Sequence, residues 1–386
     1  MSQLDKLINE LCPDGVEYKT LDEIFDIRNG YTPSKSKAEY WENGIVPWFR
    51  MDDIRENGRI LSSALQKVTM QAVKNKPFSA DSIIVSTSAT IGEHALINVD
   101  FMCNQRFTCL TLKKEYQHQF SIKFLFYYCF KLDKYCMNNL KKGSFASVDM
   151  TKFNQFQIPV PPLEVQREIV RILDEYSEKV TALKHELEKE LELRKKQYSY
   201  YRDKLLTFGD DVEWKSLEET CIIKRGDYIT KKEVKNGNIP VILGGQEPAY
   251  YCDRFNHNGE VVVVSRSGAS AGFVSYWNQP IFVTDGFAYK GKEYLCTRYL
   301  YFILKNMQSR LNKMKCGGGI PHIQGKTLEK IKIPVPPIEE QKRIVNILDR
   351  FDALCNDLTS GIPAEITARQ KQYEYYRNKL LQFKSR

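Results

Sequence analysis

The chain has 386 residues, of which 42% are hydrophobic and 12% aromatic, so it is long and apolar enough for two or three folded domains. It carries 57 Lys and Arg against 48 Asp and Glu, a formal net charge of +9 that permits an acidic partner such as nucleic acid without requiring one. Its apolar runs are too short for a membrane span, its first residues show no secretory signal, and its ten cysteines are scattered without a zinc motif. We therefore expect a cytoplasmic protein with reduced, mostly buried thiols and no membrane contact.

Residues 1–157 form the first predicted domain. Short apolar runs at 45–49, 82–86 and 107–110 are typical of strands, and a helix is predicted over about 120–137. The turns near these runs carry basic, hydroxyl and aromatic side chains that can contact DNA phosphates or base edges. The candidate DNA-binding residues of this domain are Arg28, Tyr31, Thr32, Lys35, Lys37, Arg50, Ser88 and Thr90.

Residues 158–208 predict one long helix. Pro161-Pro162 suits a first turn, and apolar or aromatic residues then recur in steps of three and four with a single stutter, as in a coiled-coil seam. The segment is neutral, with ten Lys and Arg against ten Asp and Glu, so we expect it to bind protein. The candidate residues for helix pairing and partner docking are Ile169, Leu173, Leu183, Leu187, Tyr198, Tyr201 and Leu205. The alternative is that this stripe packs on its own globular domain.

Residues 209–332 form the second predicted domain, with strands at 239–242, 261–265, 272–276 and 281–284 and a helix at about 297–314. Here 18 Lys and Arg face 13 Asp and Glu, so most of the positive excess lies in this segment. The candidate DNA-binding residues are Lys224, Arg225, Tyr228, Lys231, Lys232, Gln246, Arg266, Ser267 and His322. For any one of these clusters, an ordinary surface loop is the alternative.

Residues 333–386 repeat the earlier helix. At a constant offset of 175, residues 333–383 match residues 158–208 at 25 of 51 positions. The offset grows upstream, where Gly226 aligns with Gly30, so the first copy carries extra residues. Gly361-Ile362-Pro363 should kink or break this second helix, with Pro363 near the start of a new piece. Its candidate pairing and docking residues are Ile344, Leu348, Tyr373, Tyr376 and Leu380.

Together the segments predict an α+β protein. Two α/β domains would be joined and separated by two long antiparallel coiled-coil helices, with pseudo-two-fold symmetry. The sequence contains no Walker A loop, dinucleotide-binding fingerprint, zinc-protease motif or Asn/Asp-Pro-Pro-aromatic motif of adenine methyltransferases. Catalysis by this chain alone is therefore not predicted, and neither is a metal site.

The sequence resembles the specificity subunits of type I restriction-modification systems. The resemblance is carried by the paired segments IPVPPLEVQREIVRILD and IPVPPIEEQKRIVNILD, by the opening CPDGVEYKTLDEI, and by IPVILGGQEPAYYCDRFNHNGEVVVVSRSGASAGFVSYWNQP in the second domain. It covers essentially the whole chain. The repeated helices are highly specific to the family, whereas the domains between them are only generically similar. The break at Gly361-Ile362-Pro363 departs from helices of equal length.

This resemblance implies that each domain reads one half of a split, asymmetric sequence in double-stranded DNA. It also implies that the helices space the domains and dock two methyltransferase subunits, with motor-nuclease subunits completing the complex. Those partners would hold S-adenosylmethionine, ATP and Mg²⁺, and this chain would bind no cofactor. Two other interpretations remain: a coiled-coil assembly protein with DNA-binding domains, and the specificity subunit of a methylation-only system. We further expect the stretch with Leu183, Leu187 and Leu191 to set the spacing of the half-sites.

Overall fold

The computed structural model describes residues 2–141, 146–229, 237–244, 247–317, 319–357 and 359–386. The chain divides into two compact units. Unit 1 is Met1–Leu183 with Arg369–Arg386, and unit 2 is Lys184–Ala368. The division of the sequence into segments 1–157, 158–208, 209–332 and 333–386 is a separate matter and stays a prediction.

Unit 1 is built from short strands around one central helix. Its helices are α1 (Gln3–Leu11), α2 (Leu21–Ile24), α3 (Met51–Asn57), α4 (Ile122–Asn138) and α5 (Met150–Asn154), with the first part of α6 (Leu163–Leu205). Its strands are β1 (Tyr18–Thr20), β2 (Phe25–Asn29), β3 (Val46–Phe49), β4 (Ile60–Leu61), β5 (Lys67–Val68), β6 (Ser82–Ser86), β7 (His94–Ile97), β8 (Met102–Cys103), β9 (Phe107–Leu112) and β10 (Gln157–Pro159).

The main sheet of unit 1 has the order β2-β9-β6-β7-β4, beside a sheet β5-β3-β8 and a pair β1-β10. Strand β6 explains how this sheet is buried, because successive side chains point to opposite faces. Ile83 and Val85 belong to the core that also contains α4, whereas Ile84 belongs to the core shared with β3. Both faces are covered, which is why β6 appears in the sequence as a continuous apolar run.

Unit 2 repeats this plan. Its strands are β11 (Trp214–Ser216), β12 (Cys221–Arg225), β13 (Ile239–Ile242), β14 (Tyr250–Cys252), β15 (Glu260–Ser265), β16 (Val274–Asn278), β17 (Phe282–Val283), β18 (Gly286–Gly291) and β19 (Lys332–Pro334). Its helices are α7 (Leu217–Thr220), α8 (Thr297–Asn306), α9 (Gln308–Lys313), α10 (Gly325–Glu329) and α11 (Ile338–Asn356), followed by α12 (Ile362–Leu380), which continues into unit 1.

The sheet orders of the two units correspond strand for strand. Unit 2 has β12-β18-β15-β16, β14-β13-β17 and β11-β19, and these match β2-β9-β6-β7, β5-β3-β8 and β1-β10. Strand β4 at the end of the main sheet, preceded by α3, is the addition in unit 1 among the described residues. It lies in the interval where the offset between the copies falls, so the duplication predicted from the sequence is confirmed in the fold.

The helices agree with the sequence except over residues 297–314. Helix α6 begins just after Pro161-Pro162 and has 43 residues. The second repeated segment is divided into α11 and α12, as Gly361 and Pro363 predicted. A Cβ on Gly361 would lie 2.6 Å from the carbonyl oxygen of Ala353, so the chain turns tightly against the end of α11. The single helix predicted over about 297–314 is wrong, because α8 and α9 are separated at Met307.

All ten cysteines are free, and eight of them are buried. Burial raises the pKa of Cys109 to about 12, which keeps this thiol protonated and unreactive at neutral pH. None of the helices in the described ranges has the length and apolar character of a membrane span.

Candidate nucleic-acid interface

Several polar loops of unit 1 lie at one edge of its main sheet. Strands β2 and β6 are antiparallel to β9, with Asn29 opposite Thr108 and Ser86 opposite Phe107. The ends of β2 and β6 therefore meet the beginning of β9 at the same edge. We call the loops here the first loop edge and define it as residues 30–37, 50, 87–93 and 104–106.

Backbone hydrogen bonds tie these loops together. The amide of Gly30 donates to the carbonyl of Phe107 at 2.9 Å, and the amide of Thr87 donates to the carbonyl of Arg106 at 3.0 Å. The amide of Asn104 donates to the carbonyl of Phe49 at 3.1 Å, which brings the end of β3 to the same place. The backbone of the first loop edge is therefore fixed in position relative to the sheet.

Unit 2 has a corresponding second loop edge, which we define as residues 226–229, 266–273, 284–286 and 319–323. The amide of Gly226 donates to the carbonyl of Gly286 at 2.9 Å, and the amide of Arg266 donates to the carbonyl of Asp285 at 3.1 Å. The amide of Ile323 donates to the carbonyl of Arg266 at 2.8 Å. The same strand ends thus carry loops in both units.

Gly30 and Gly226 align in the sequence, and the structure gives the same reason for a glycine at each position. A Cβ on Gly30 would lie 2.3 Å from the carbonyl oxygen of Asn104, and one on Gly226 would lie 2.5 Å from that of Thr284. Both distances are below any normal contact, so a side chain would push the neighbouring loop away. Glycine is required at each position by close approach of two backbones.

Three of the predicted residues of unit 1 are engaged in its own structure. The guanidinium of Arg28 lies 4.3 Å from the centre of the Phe78 ring. The hydroxyl of Tyr31 donates to the carbonyl of Ala72 and accepts from the amide of Lys74, the latter at 2.6 Å. Thr32 is hydrogen-bonded to Gln105. These contacts hold the loops, so Tyr31 and Thr32 fix the shape of the edge.

Other predicted residues of unit 1 are more available. Lys35 and Lys37 are exposed, although the ammonium of Lys37 donates to the Tyr40 hydroxyl at 3.2 Å, which raises the pKa of Lys37. Arg50 precedes α3 and lies 3.4 Å from a carboxylate oxygen of Asp52. Ser88 and Thr90 are partly exposed in loop 87–93. Whether any of them contacts DNA stays a prediction.

In unit 2, the end of β12 presents exposed cationic and aromatic side chains. Lys224 and Arg225 are exposed, and Tyr228 is 86% exposed. An aromatic ring so open to solvent is suited to stacking on a base or a sugar. Lys231, Lys232 and Gln246, predicted to bind DNA, lie outside the described residues.

Arg266, Ser267 and His322 are brought together at the second loop edge. Arg266 lies 3.6 Å from Asp285, and the Ser267 hydroxyl donates to the other oxygen of the same carboxylate. Ser267 forms a β-bridge with His322, whose ring nitrogen lies 3.5 Å from the sulfur of Cys316. Asp285 therefore orients two of the predicted residues and reduces their net charge.

The sequence reasoning missed Asp285 and the loop Asn104-Gln105-Arg106. Both segments precede the strand that lies next to β2 or β12, and Gln105 and Arg106 are exposed. A usable signal existed, because this polar loop separates two apolar strands at matching places in the two copies. Their role depends on strands distant in sequence, so the local pattern could not reveal it.

Burial changes the titration of one group near the second loop edge. The pKa of His257 is lowered by desolvation and, to a lesser extent, by the positive charge of Lys224, while Asp227 opposes the shift. His257 is held by backbone hydrogen bonds with Ile281, at 2.9 and 3.1 Å. Burial thus favours the neutral form of the His257 imidazole.

The helices pair within each unit through aromatic rings. In unit 1, Tyr176 of α6 stacks on Tyr373 of α12 with ring centres 5.9 Å apart and meets the edge of Tyr376 at 6.1 Å. In unit 2, Tyr198 and Tyr201 of α6 contact Phe351 of α11 at 6.2 and 5.8 Å. Tyr198, Tyr201, Tyr373 and Tyr376 are among the residues predicted for helix pairing and partner docking, and their role in docking a partner stays a prediction.

Other predicted docking positions need correction. Ile169 and Leu173 are fully buried in the core that contains α4, and Ile344 and Leu348 are fully buried in the corresponding core of unit 2. A partner cannot reach them, because the first turns of each repeated helix pack on their own domain. Leu205 and Leu380 lie partly buried against the same cores, and Leu183 and Leu187 are partly exposed.

Within the described residues, no group of three or more His, Cys, Asp or Glu side chains is arranged to hold a metal ion.

The chain was compared with protein families and with individual proteins. Residues 13–193 and 209–368 match the profile of the type I restriction modification DNA specificity domain. The specificity subunit of the type I restriction enzyme EcoprrI from Escherichia coli is 44% identical over 375 residues, covering 93% of this chain and 92% of that protein. The EcoR124I/EcoR124II specificity subunit, also from Escherichia coli, is 35% identical over 286 residues, covering 64% of this chain and 70% of that protein.

Solved structures give the same fold. A chain from a study of complex assembly and conformational transition of the type I R-M system aligns with a TM-score of 0.70 at 19% identity, covering 96% of this chain and 98% of that one. The HsdS subunit from Thermoanaerobacter tengcongensis aligns with a TM-score of 0.53 at 20% identity, covering 96% and 94%. The duplicated α+β fold with long helices is thus that of type I specificity subunits. The chain belongs to the family of type I restriction-modification DNA specificity subunits.

Proposed function

We propose that this chain is the DNA-reading subunit of a type I restriction-modification complex, in which each loop edge reads one half of a two-part target in double-stranded DNA. The observation that carries this proposal is the repetition of the loop edge on two divergent domains. Their loops differ in sequence while their backbones meet in the same way at Gly30 and Gly226. Constant scaffolds with variable loops are suited to two different sequences.

The side chains at the loop edges fit the two tasks of a DNA-binding protein. Lys35, Lys224 and Arg225 are exposed cations that can neutralise phosphates, which supplies affinity without sequence preference. Ser88 and Thr90, with hydroxyl groups, and Arg266, with a guanidinium oriented by Asp285, can hydrogen-bond to base edges in the major groove. Phosphate contacts would place each domain, and base contacts would select the sequence.

The repeated helices would dock two copies of a methyltransferase subunit. The tyrosine pairs at their ends support this, because Tyr200 and Tyr375 are 61% and 63% exposed at equivalent positions, each beside a second tyrosine at 5.3 Å. A surface that occurs twice suits two copies of one partner. Those partners would hold S-adenosylmethionine and methylate adenine. Motor-nuclease subunits using ATP and Mg²⁺ would complete the restriction complex, and this chain would contribute no catalytic group.

Helix α6 would set the distance between the half-sites. It is unbroken over 43 residues, and the two compact units divide within it, between Leu183 and Lys184. Inserting four residues here would lengthen the helix by about 6 Å and rotate its end by about 40°. We expect the number of base pairs between the methylated half-sites to change, and unchanged spacing would reject this role for α6.

The reading function is tested by selection from a randomised DNA duplex library with the full-length chain. Sequencing of the bound duplexes should give two short preferred sequences separated by positions without preference. A single uninterrupted preferred sequence, or none, would reject the two-part reading. Binding to duplexes without the selected sequence serves as the measure of non-specific affinity.

A further inference from the structure

Loops 87–93 and 266–273 return to their sheets at close contacts with a helix of the same domain. Gly92 and Gly272 have positive φ angles of 89° and 78°. A Cβ on Gly92 would lie 2.9 Å from the Met137 side chain and 3.2 Å from the Asp133 carbonyl oxygen. On Gly272 it would lie 3.1 Å from the Leu311 carbonyl oxygen. The return of each loop is therefore packed directly against α4 or α9.

In unit 1, a buried carboxylate of α4 holds this return. A carboxylate oxygen of Asp133 lies 2.7 Å from Nδ1 of His94, the first residue of β7 after the loop. Arg59 donates to the His94 carbonyl at 3.0 Å and lies 3.5 Å from the same carboxylate oxygen. His94 is fully buried and Asp133 is 5% exposed, so these polar contacts are shielded from water.

The His94 ring is also enclosed by aromatic side chains. Its centre lies 5.1 Å from the ring of Phe126 and 4.6 Å from the ring of Phe130, both from α4. Residue 94 thus has little freedom to move while Asp133 keeps its place. The loop that carries Ser88 and Thr90 ends at a fixed point.

In unit 2, a neutral side chain occupies the corresponding place. Gln308 begins α9, and it follows Asp133 by the 175 residues that separate the two copies of the repeated helix. Its amide nitrogen donates to the Gly272 carbonyl at 2.7 Å, and its oxygen accepts from the Val274 amide at 3.1 Å. Gln308 therefore holds the end of loop 266–273 as Asp133 holds the end of loop 87–93.

We propose that Asp133 and Gln308 are positioning residues for DNA recognition, each setting the loop that reads one half of the target. This inference rests on the proposed two-part reading. The hydrogen bonds of both side chains lie where their loops end. Each acts through the residue at which the loop rejoins the sheet, so a change here alters base preference in one half of the target and leaves the other half unchanged.

The test uses the full-length chain and the randomised duplex library. Asp133→Ala should reduce discrimination between bases in one half by about tenfold or more, a loss comparable to one base contact. Asp133→Asn keeps an oxygen that can accept from His94 and should restore most of that preference. Gln308→Ala should reduce discrimination only in the other half.

A structural effect is separated by a matched control on α4. Leu132→Ala, at the neighbouring fully buried position, destabilises the same unit and removes none of the hydrogen bonds that Asp133 and Arg59 make to His94. It should lower the unfolding midpoint and leave base preference intact. The positioning role is overturned if Leu132→Ala reduces base discrimination in the same half of the target as Asp133→Ala. It is also overturned if Asp133→Ala leaves base discrimination in both halves intact. Should the unaltered chain select no two-part sequence, the proposed function fails first, which is a distinct result.

Discussion

Gln341 of unit 2 repeats the three hydrogen bonds that Gln166 makes in unit 1. The Gln166 amide nitrogen donates to the carbonyls of Gln119 and Pro161 at 2.8 and 2.7 Å, and its oxygen accepts from the Ser121 amide at 2.8 Å. Gln341 does the same with Tyr294, Pro336 and Cys296, at 3.0, 2.8 and 2.8 Å. Both side chains are fully buried. The start of each repeated helix is thereby fixed to the start of its domain helix.

Replacing Gln166 with Ala should destabilise unit 1 by about 2–4 kcal/mol, because three backbone groups lose their partner in hydrogen bonds that are buried or part-buried. The measurement is urea unfolding followed by circular dichroism, in which the transition of unit 1 should move to lower urea. Gln341→Ala should act in the same way on unit 2. Gln370→Ala is the matched control, since its amide donates to Glu374 on an exposed helix surface. An equal effect of Gln166→Ala and Gln370→Ala would contradict this interpretation.

Lys35→Ala should weaken DNA binding in a salt-dependent manner. If Lys35 neutralises one phosphate, its loss reduces the slope of log K against log salt concentration by about 0.9. Lys37→Ala should have a smaller effect, because its ammonium already contacts the Tyr40 hydroxyl and lies 3.9 Å from Glu39. Binding is measured by fluorescence anisotropy over a series of salt concentrations. Lys189→Ala, at an exposed position on α6, should leave the slope unchanged, and a slope unaltered by Lys35→Ala would exclude this phosphate contact.

Acid should destabilise unit 2 through His257. Burial lowers the pKa of His257 below its ordinary value of 6.5, so the unfolded chain binds a proton that the folded chain excludes. The contribution of neutral His257 is present above pH 6.5 and is lost as the pH falls through its lowered folded pKa. His257→Asn should therefore reduce the fall in unfolding free energy across this range, measured by urea unfolding at several pH values. The exposed His185→Asn is the control, and identical pH profiles for His257→Asn and the unaltered chain would contradict the prediction.

The duplication, the long helix α6 and seven of the nineteen strands in the described residues could be predicted from the sequence. Hydrophobic periodicity and proline positions are local signals, and α6 and the break at Gly361 follow from them directly. What covers an apolar stripe is not a local property. The seam at Ile169 and Ile344 has the same spacing as the seam at Tyr198, yet the first two are buried in domain cores.

The candidate site was less predictable for a related reason. Tyr31 and Arg28 have the chemistry of DNA-binding residues, but their partners Ala72 and Phe78 come from a distant part of the chain. Asp285 and Gln105 belong to the candidate site because the strand order brings them beside Ser267 and Thr32. Residue type and turn context therefore located the loops, and tertiary contacts decided which of their side chains remain free to bind.

The central claim is that the two domains read the two halves of one target independently. The most direct measurement replaces residues 1–157 with the corresponding domain of another family member and maps methylated adenines in cells that also express the methyltransferase subunit. The account predicts that one half of the methylated sequence changes and the other half stays the same. A change in both halves, or in neither, would contradict it.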